Sequence, residues 1–89
     1  MSLHRIDARR DDNEPAIIKA LKDVGAQVEQ LRQPCDLAVT FRRQHFLIEV
    51  DNPASKYRKR KQKQLDTFAK MHIPMVRTAD EALRIIGAL

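Results

Sequence analysis

Two carboxylates set two residues apart in an otherwise apolar run are the first chemistry this chain offers. The stretch HFLIEVDNP, His45 to Pro53, has the composition of a β-strand, yet it carries Glu49 and Asp51. Strand side chains alternate faces, so positions i and i+2 point the same way. A third acid, Asp36, opens the apolar run DLAVTF at 36–41. If Arg42 and Arg43 form a tight connection, Phe41 faces Gln44, Val39 faces Phe46, Leu37 faces Ile48 and Asp36 faces Glu49. One face of this hairpin then holds Asp36, Ala38, Thr40, His45, Leu47, Glu49 and Asp51. The other holds Leu37, Val39, Phe41, Phe46, Ile48 and Val50, and must be the buried one. Opposed side chains have Cβ atoms about 5 Å apart, and like charges there are destabilising. A cation relieves that repulsion, and carboxylate oxygens so placed suit Mg²⁺ or Mn²⁺. Such an ion can activate water and stabilise charge on a phosphate. The competing reading is an ordinary solvated face whose acids are balanced by nearby Lys and Arg. His45 lies about 13 Å along the strand from Glu49, too far to be a ligand, and reads as a surface histidine.

A basic run follows at once. KYRKRKQK at 56–63 carries Lys56, Arg58, Lys59, Arg60, Lys61 and Lys63. On a helix these cations spread around most of the circumference, a collar suited to the phosphates of nucleic acid. Alone they position a backbone and read no sequence. The alternatives are a solvated helix start or a localisation-signal-like segment. Tyr57 can stack on a base or pack at the helix start. A net charge of +5 on 89 residues, 33% of them charged, likewise favours a polyanionic partner or an anionic membrane surface.

The elements that must position these groups are short. DDNEPAIIKALKDVG at 11–25 reads as a helix, with Asp12 or Asn13 as cap, Pro15 in the first turn and Gly25 at the end. Ile17, Leu21 and Val24 form its apolar stripe, flanked by Ile18 and Ala20. AQVEQL at 26–31 is a short strand with Ala26, Val28 and Leu31 inward, ahead of the hairpin strands DLAVTF and HFLIEV. The hairpin turn lacks the Gly or Asn that two-residue turns prefer. The later part of 54–71 is a helix with Leu65, Phe68 and Ala69 on one side, and PMVRT at 74–78 a short strand. Thr78 and Glu81 form a capping box for a last helix carrying Ala82, Leu83, Ile85 and Ile86. Residues 1–10 form a basic extension, and 11–89 a single domain with a modest aliphatic core. The lone Cys35 has no disulfide partner in the chain, fits a reducing cytoplasm, and reads as a small core or edge residue. No apolar run is long enough to span a membrane.

Taken together, PCDLAV at 34–39, FLIEV at 46–50, NE at 13–14, QLDTF at 64–68 and VRTADEALRIIG at 76–87 resemble the PD-(D/E)XK nuclease superfamily. The nearest likeness is to its VRR-NUC group, related in fold to Holliday-junction resolvases. The resemblance covers about residues 11–88. It implies a restriction-endonuclease-like core, α-β-β-β-α-β-α, with a small mixed sheet flanked by helices. It implies that Asp36 and Glu49 bind the metal, that Glu14 completes the site, that Val50 ligates through its carbonyl, and that Gln64 supports it. Two departures stand out. Cys35, and not proline, precedes Asp36, with Pro34 displaced by one position. More consequentially, Asp51 occupies the position where the family has a lysine that orients or activates the attacking water.

Three explanations of Asp51 compete. A lysine can come from elsewhere, with Lys56, Lys59 and Lys63 as candidates. Asp51 can bind a second metal or accept a proton from water. Or the chain has lost cleavage and keeps DNA binding. The leading expectation is a Mg²⁺-dependent (or Mn²⁺-dependent) endonuclease acting on DNA, on branched or flapped forms among others, with homodimerisation suited to the small core and to two-strand cleavage. The runner-up is an inactive nuclease-fold module that binds nucleic acid. A third class is an interaction protein whose basic helix grips an acidic partner.

Overall fold

The computed structural model describes residues 12–52 and 60–89. The expected basic extension at 1–10, and Lys56, Tyr57, Arg58 and Lys59 of the basic run, lie outside the described residues. The described residues form an α/β fold with a four-stranded mixed sheet and three helices. Its elements run α1 (Glu14–Asp23), β1 (Gln27–Gln30), β2 (Leu37–Phe41), β3 (Gln44–Val50), α2 (Gln62–Met71), β4 (Met75–Val76) and α3 (Ala79–Ile86). The sheet order is β1-β2-β3-β4. The first two pairings are antiparallel, and β4 joins β3 in parallel through Glu49↔Met75 and Val50↔Val76.

The hairpin has the register expected for a two-residue Arg42–Arg43 connection, with Leu37↔Ile48, Val39↔Phe46 and Phe41↔Gln44. Its turn is the two residues Arg42 and Arg43, both left-handed at φ 51° and 67°. Neither is the Gly or Asn such a turn favours. The Arg42 guanidinium lies 4.8 Å from the centre of the Phe41 ring, a cation–π contact that offsets part of the strain.

The apolar hairpin face is the buried one. Leu37, Val39, Ile48 and Val50 pack against Ile17 and Leu21 of α1 and Ala82 and Ile86 of α3. Helix α1 ends where the sequence places its glycine. Gly25 is left-handed at φ 93°, and the Ala26 and Gly25 amides donate to Leu21 O and Lys22 O, a Schellman arrangement. Asn13 stands at the start of α1 without capping it through its side chain. Helix α3 opens on the expected capping box: Glu81 N–H donates to Thr78 Oγ1, and Thr78 N–H donates to Glu81 Oε1, both at 3.2 Å.

The opposite face of the hairpin is not an open, solvated surface. Phe68 of α2, with Ile73 and Cys35, makes a second small apolar cluster against Leu31 and Leu47. Leu65 and Ala69, expected to share that buried side, are exposed, so α2 rests on the sheet chiefly through Phe68. Helices therefore cover both faces, and the acid-bearing ends of β2 and β3 are enclosed.

Candidate functional site

Asp36 and Glu49 meet at the end of the hairpin remote from the turn. Both are buried, with 4% and 1% of their surface exposed. Two backbone amides fix them: Asp36 N–H donates to Glu49 Oε1 at 3.1 Å, and Val50 N–H donates to Asp36 Oδ2 at 2.8 Å. Each acid is thereby tied to the other's strand. A merely solvated pair would show neither the burial nor the backbone bonds.

Among the described residues, an arginine side chain faces this end of the sheet. Arg60, two residues before α2, donates from Nε to Glu49 Oε2 at 2.9 Å and from Nη1 to Asp51 Oδ1 at 2.9 Å. Its Nη2 donates to the Val50 carbonyl at 2.7 Å. The Arg60 side chain is only 10% exposed. Its sequence setting, in a run of cations, suggests a phosphate contact; its position is inward, against the acids. Lys61 and Lys63 remain exposed at the start of α2, as a phosphate-binding role requires.

Asp51 is a junction. Its Oδ2 accepts from Arg77 Nε at 3.2 Å, while its own amide donates to Val76 O. Asn13 Nδ2 donates to both Asp51 O, at 3.0 Å, and Arg77 O, at 2.8 Å. The start of α1 is thus stapled to the ends of β3 and β4. The sequence shows Asn13 as a cap candidate and gives no sign of Arg77; both act here because the parallel β3–β4 pair places Asp51 beside Arg77.

Two supporting residues are placed differently from expectation. Gln64 is exposed, and its Oε1 accepts the Lys61 N–H at 3.0 Å, closing the first turn of α2 and leaving the acids to others. Glu14 is buried, but its Oε2 accepts from Gln30 Nε2 of β1 at 3.1 Å. Among the described residues, no three His, Cys, Asp or Glu side chains form a group able to hold a metal ion, so the side-chain trio Glu14, Asp36 and Glu49 is not assembled. In kind, two carboxylates and one backbone carbonyl at the hairpin end, those of Asp36, Glu49 and Val50, are the oxygen donors a hard divalent ion takes. Arg60 engages two of these three groups, Glu49 and the Val50 carbonyl.

His45 is exposed, with Nδ1 2.9 Å from Thr40 Oγ1, and takes no part in the site. Cys35 is buried beside the acids, and burial, with help from the Glu49 charge, pushes its thiol pKa up. No helix among the described residues is long and apolar enough to cross a membrane. No protein-family model, curated protein or solved structure matches the chain.

Proposed function

We propose that this chain is a metal-dependent DNA endonuclease with a restriction-endonuclease-like core. The observation that carries the reading is the buried meeting of Asp36 and Glu49 across adjoining strands, each fixed by a backbone N–H, with the Val50 carbonyl at the same point. Burying two carboxylates side by side is costly unless a cation and hydrogen bonds compensate. Such a cluster of oxygen donors is what a metal-assisted phosphodiester site uses. Asp36, Glu49 and the Val50 carbonyl would hold Mg²⁺ or Mn²⁺. When bound, the ion supplies water activation and neutralises charge on the phosphate.

The chain's own residues do the rest. The amides of Asp36 and Val50 hold the carboxylates in one orientation. Lys61 and Lys63 sit in the first turn of α2, which has no acid there. Cations at a helix N-terminus oppose the macrodipole, an arrangement that an arriving phosphate makes favourable. Lys56, Arg58 and Lys59 belong to the same basic segment in sequence.

Incubation with supercoiled, flapped and four-way DNA in Mg²⁺ or Mn²⁺, beside Asp36→Ala, tests the assignment. Metal-dependent nicking that Asp36→Ala abolishes is the expected result. The absence of nicking with either metal overturns it. A second reading, a nuclease-fold module that binds DNA without cutting it, is favoured by one observation: Asp51 and Arg60 close the acids into an internal ion pair. Salt-sensitive DNA binding with no nicking is its signature.

A further inference from the structure

We propose that Arg60 is a resident cation of the acid niche and that a divalent ion enters only by displacing its guanidinium. This rests on the metal-site reading above and names the residue that governs the site's affinity. The guanidinium spends all three of its nitrogens on this end of the sheet: Nε on Glu49, Nη1 on Asp51 and Nη2 on the Val50 carbonyl. Planar, fork-like donors suit three separate oxygens in a way a lysine ammonium does not. Two of those acceptors, Glu49 Oε2 and Val50 O, are ones the ion would need. An ion bonded to both would stand where Nε and Nη2 now stand, and it would bring a second positive charge against the first.

Asp51 explains why the arginine stays. Its side chain binds Arg60 on one oxygen and Arg77 on the other, and its backbone is fixed by Val76 and Asn13. A carboxylate held this firmly beside Glu49 makes a cation-binding edge, and a basic residue at position 51 would repel Arg60. The acid at 51 and the inward turn of Arg60 are therefore one feature. Arginine does not lose its proton in the accessible pH range, so competition and not deprotonation must release it.

Free Mn²⁺, followed by its electron paramagnetic resonance signal during titration, tests this without DNA. Arg60→Gln is expected to bind one Mn²⁺ at least about tenfold tighter than the wild type, because the competent form is no longer a minor population. Adding Glu49→Gln to Arg60→Gln is expected to abolish that binding. Equal affinity in wild type and Arg60→Gln overturns the proposal and leaves the metal site standing. Binding by neither overturns the metal site itself and this inference with it. Because Arg60→Gln removes a buried charge partner of Glu49 and can unfold the chain, the wild type supplies a second measurement. In a Mg²⁺ titration followed by NMR, the Arg60 Nε–H resonance is expected to disappear or move in step with the Val50 amide. A Val50 amide that responds while the Arg60 Nε–H signal stays fixed overturns the proposal.

Discussion

Asp36 and Glu49 exchange strands through the backbone: the Asp36 amide serves the Glu49 carboxylate, and the Asp36 carboxylate serves the amide one residue beyond Glu49. Removing the Asp36 carboxylate leaves the buried Val50 N–H without this acceptor. Asp36→Ala is expected to lose about 1–3 kcal/mol of stability, the usual cost of stranding a buried polar group. Asp36→Asn, which keeps an acceptor oxygen, is expected to lose less, while both variants abolish nicking if the acids hold a metal. Urea denaturation read alongside the nicking assay separates the two effects; an Asp36→Ala chain as stable as the wild type would show that the amide bond contributes nothing.

Two arginines bind one aspartate, and they differ in what surrounds them. Arg60 is 10% exposed and Arg77 is 63% exposed, against the same Asp51 at 23%. An exposed pair is screened and contributes roughly 0–1 kcal/mol. Removing one partner of a buried pair costs about 3–5 kcal/mol. Arg77→Ala is therefore expected to shift the urea midpoint only slightly, and Arg60→Ala to shift it severely. Equal effects would mean that the Arg60 guanidinium is not inserted among the acids in solution.

The contrast between those arginines also marks how far the sequence could be read. The hairpin register was legible because a two-residue Arg42–Arg43 turn fixes the pairing and alternation then puts the apolar residues on one face. The juxtaposition of Asp36 with Glu49 followed from that register alone. The α3 start was legible from Thr78 and Glu81, whose roles are local. What could not be read was long-range and orientational. Inside a run of cations nothing in the sequence separates Arg60 from its neighbours; its inward position rests on long-range contacts with Glu49, Val50 and Asp51. The Glu14–Gln30 bond joins residues 16 apart on different elements. Gln64 matched a supporting role by resemblance, yet its place three residues after Lys61 makes it a helix cap, a nearer use for the same amide.

Arg42 and Arg43 break a rule of turn chemistry, and the fold bears the cost. Non-glycine residues in the left-handed region are disfavoured by about 1–2 kcal/mol each. Arg43→Gly is expected to stabilise the chain by about 1 kcal/mol, since it relieves φ 67° and leaves the Arg42 contact with Phe41 in place. Arg42→Gly should gain less, because the relief is offset by loss of the cation–π contact. Thermal melts of the two variants give the order; a drop in melting temperature for Arg43→Gly would show that its side chain has a contact worth more than the strain.

Cys35 offers a pH-dependent probe of the closed site. Its thiol is buried, donates to the Leu37 carbonyl at 3.6 Å, and has its pKa raised chiefly by burial. Thiolate is the reactive form, so iodoacetamide should label the native chain far more slowly than the urea-unfolded chain at neutral pH. The same shift sets a stability trend. Below the ordinary thiol pKa, folded and unfolded chains both keep the proton, and the thiol's contribution is fully present. Between that pKa and the raised folded value, the unfolded chain gives up a proton that the fold retains, so stability falls as pH rises. Cys35→Ala removes this dependence and also leaves a small void against Phe68 and Ile73, so its stability should be lower at pH 7 and flatter across the alkaline range. Native labelling as fast as in urea would mean that the cluster of Cys35, Phe68 and Ile73 opens readily, and with it the cover over Asp36 and Glu49.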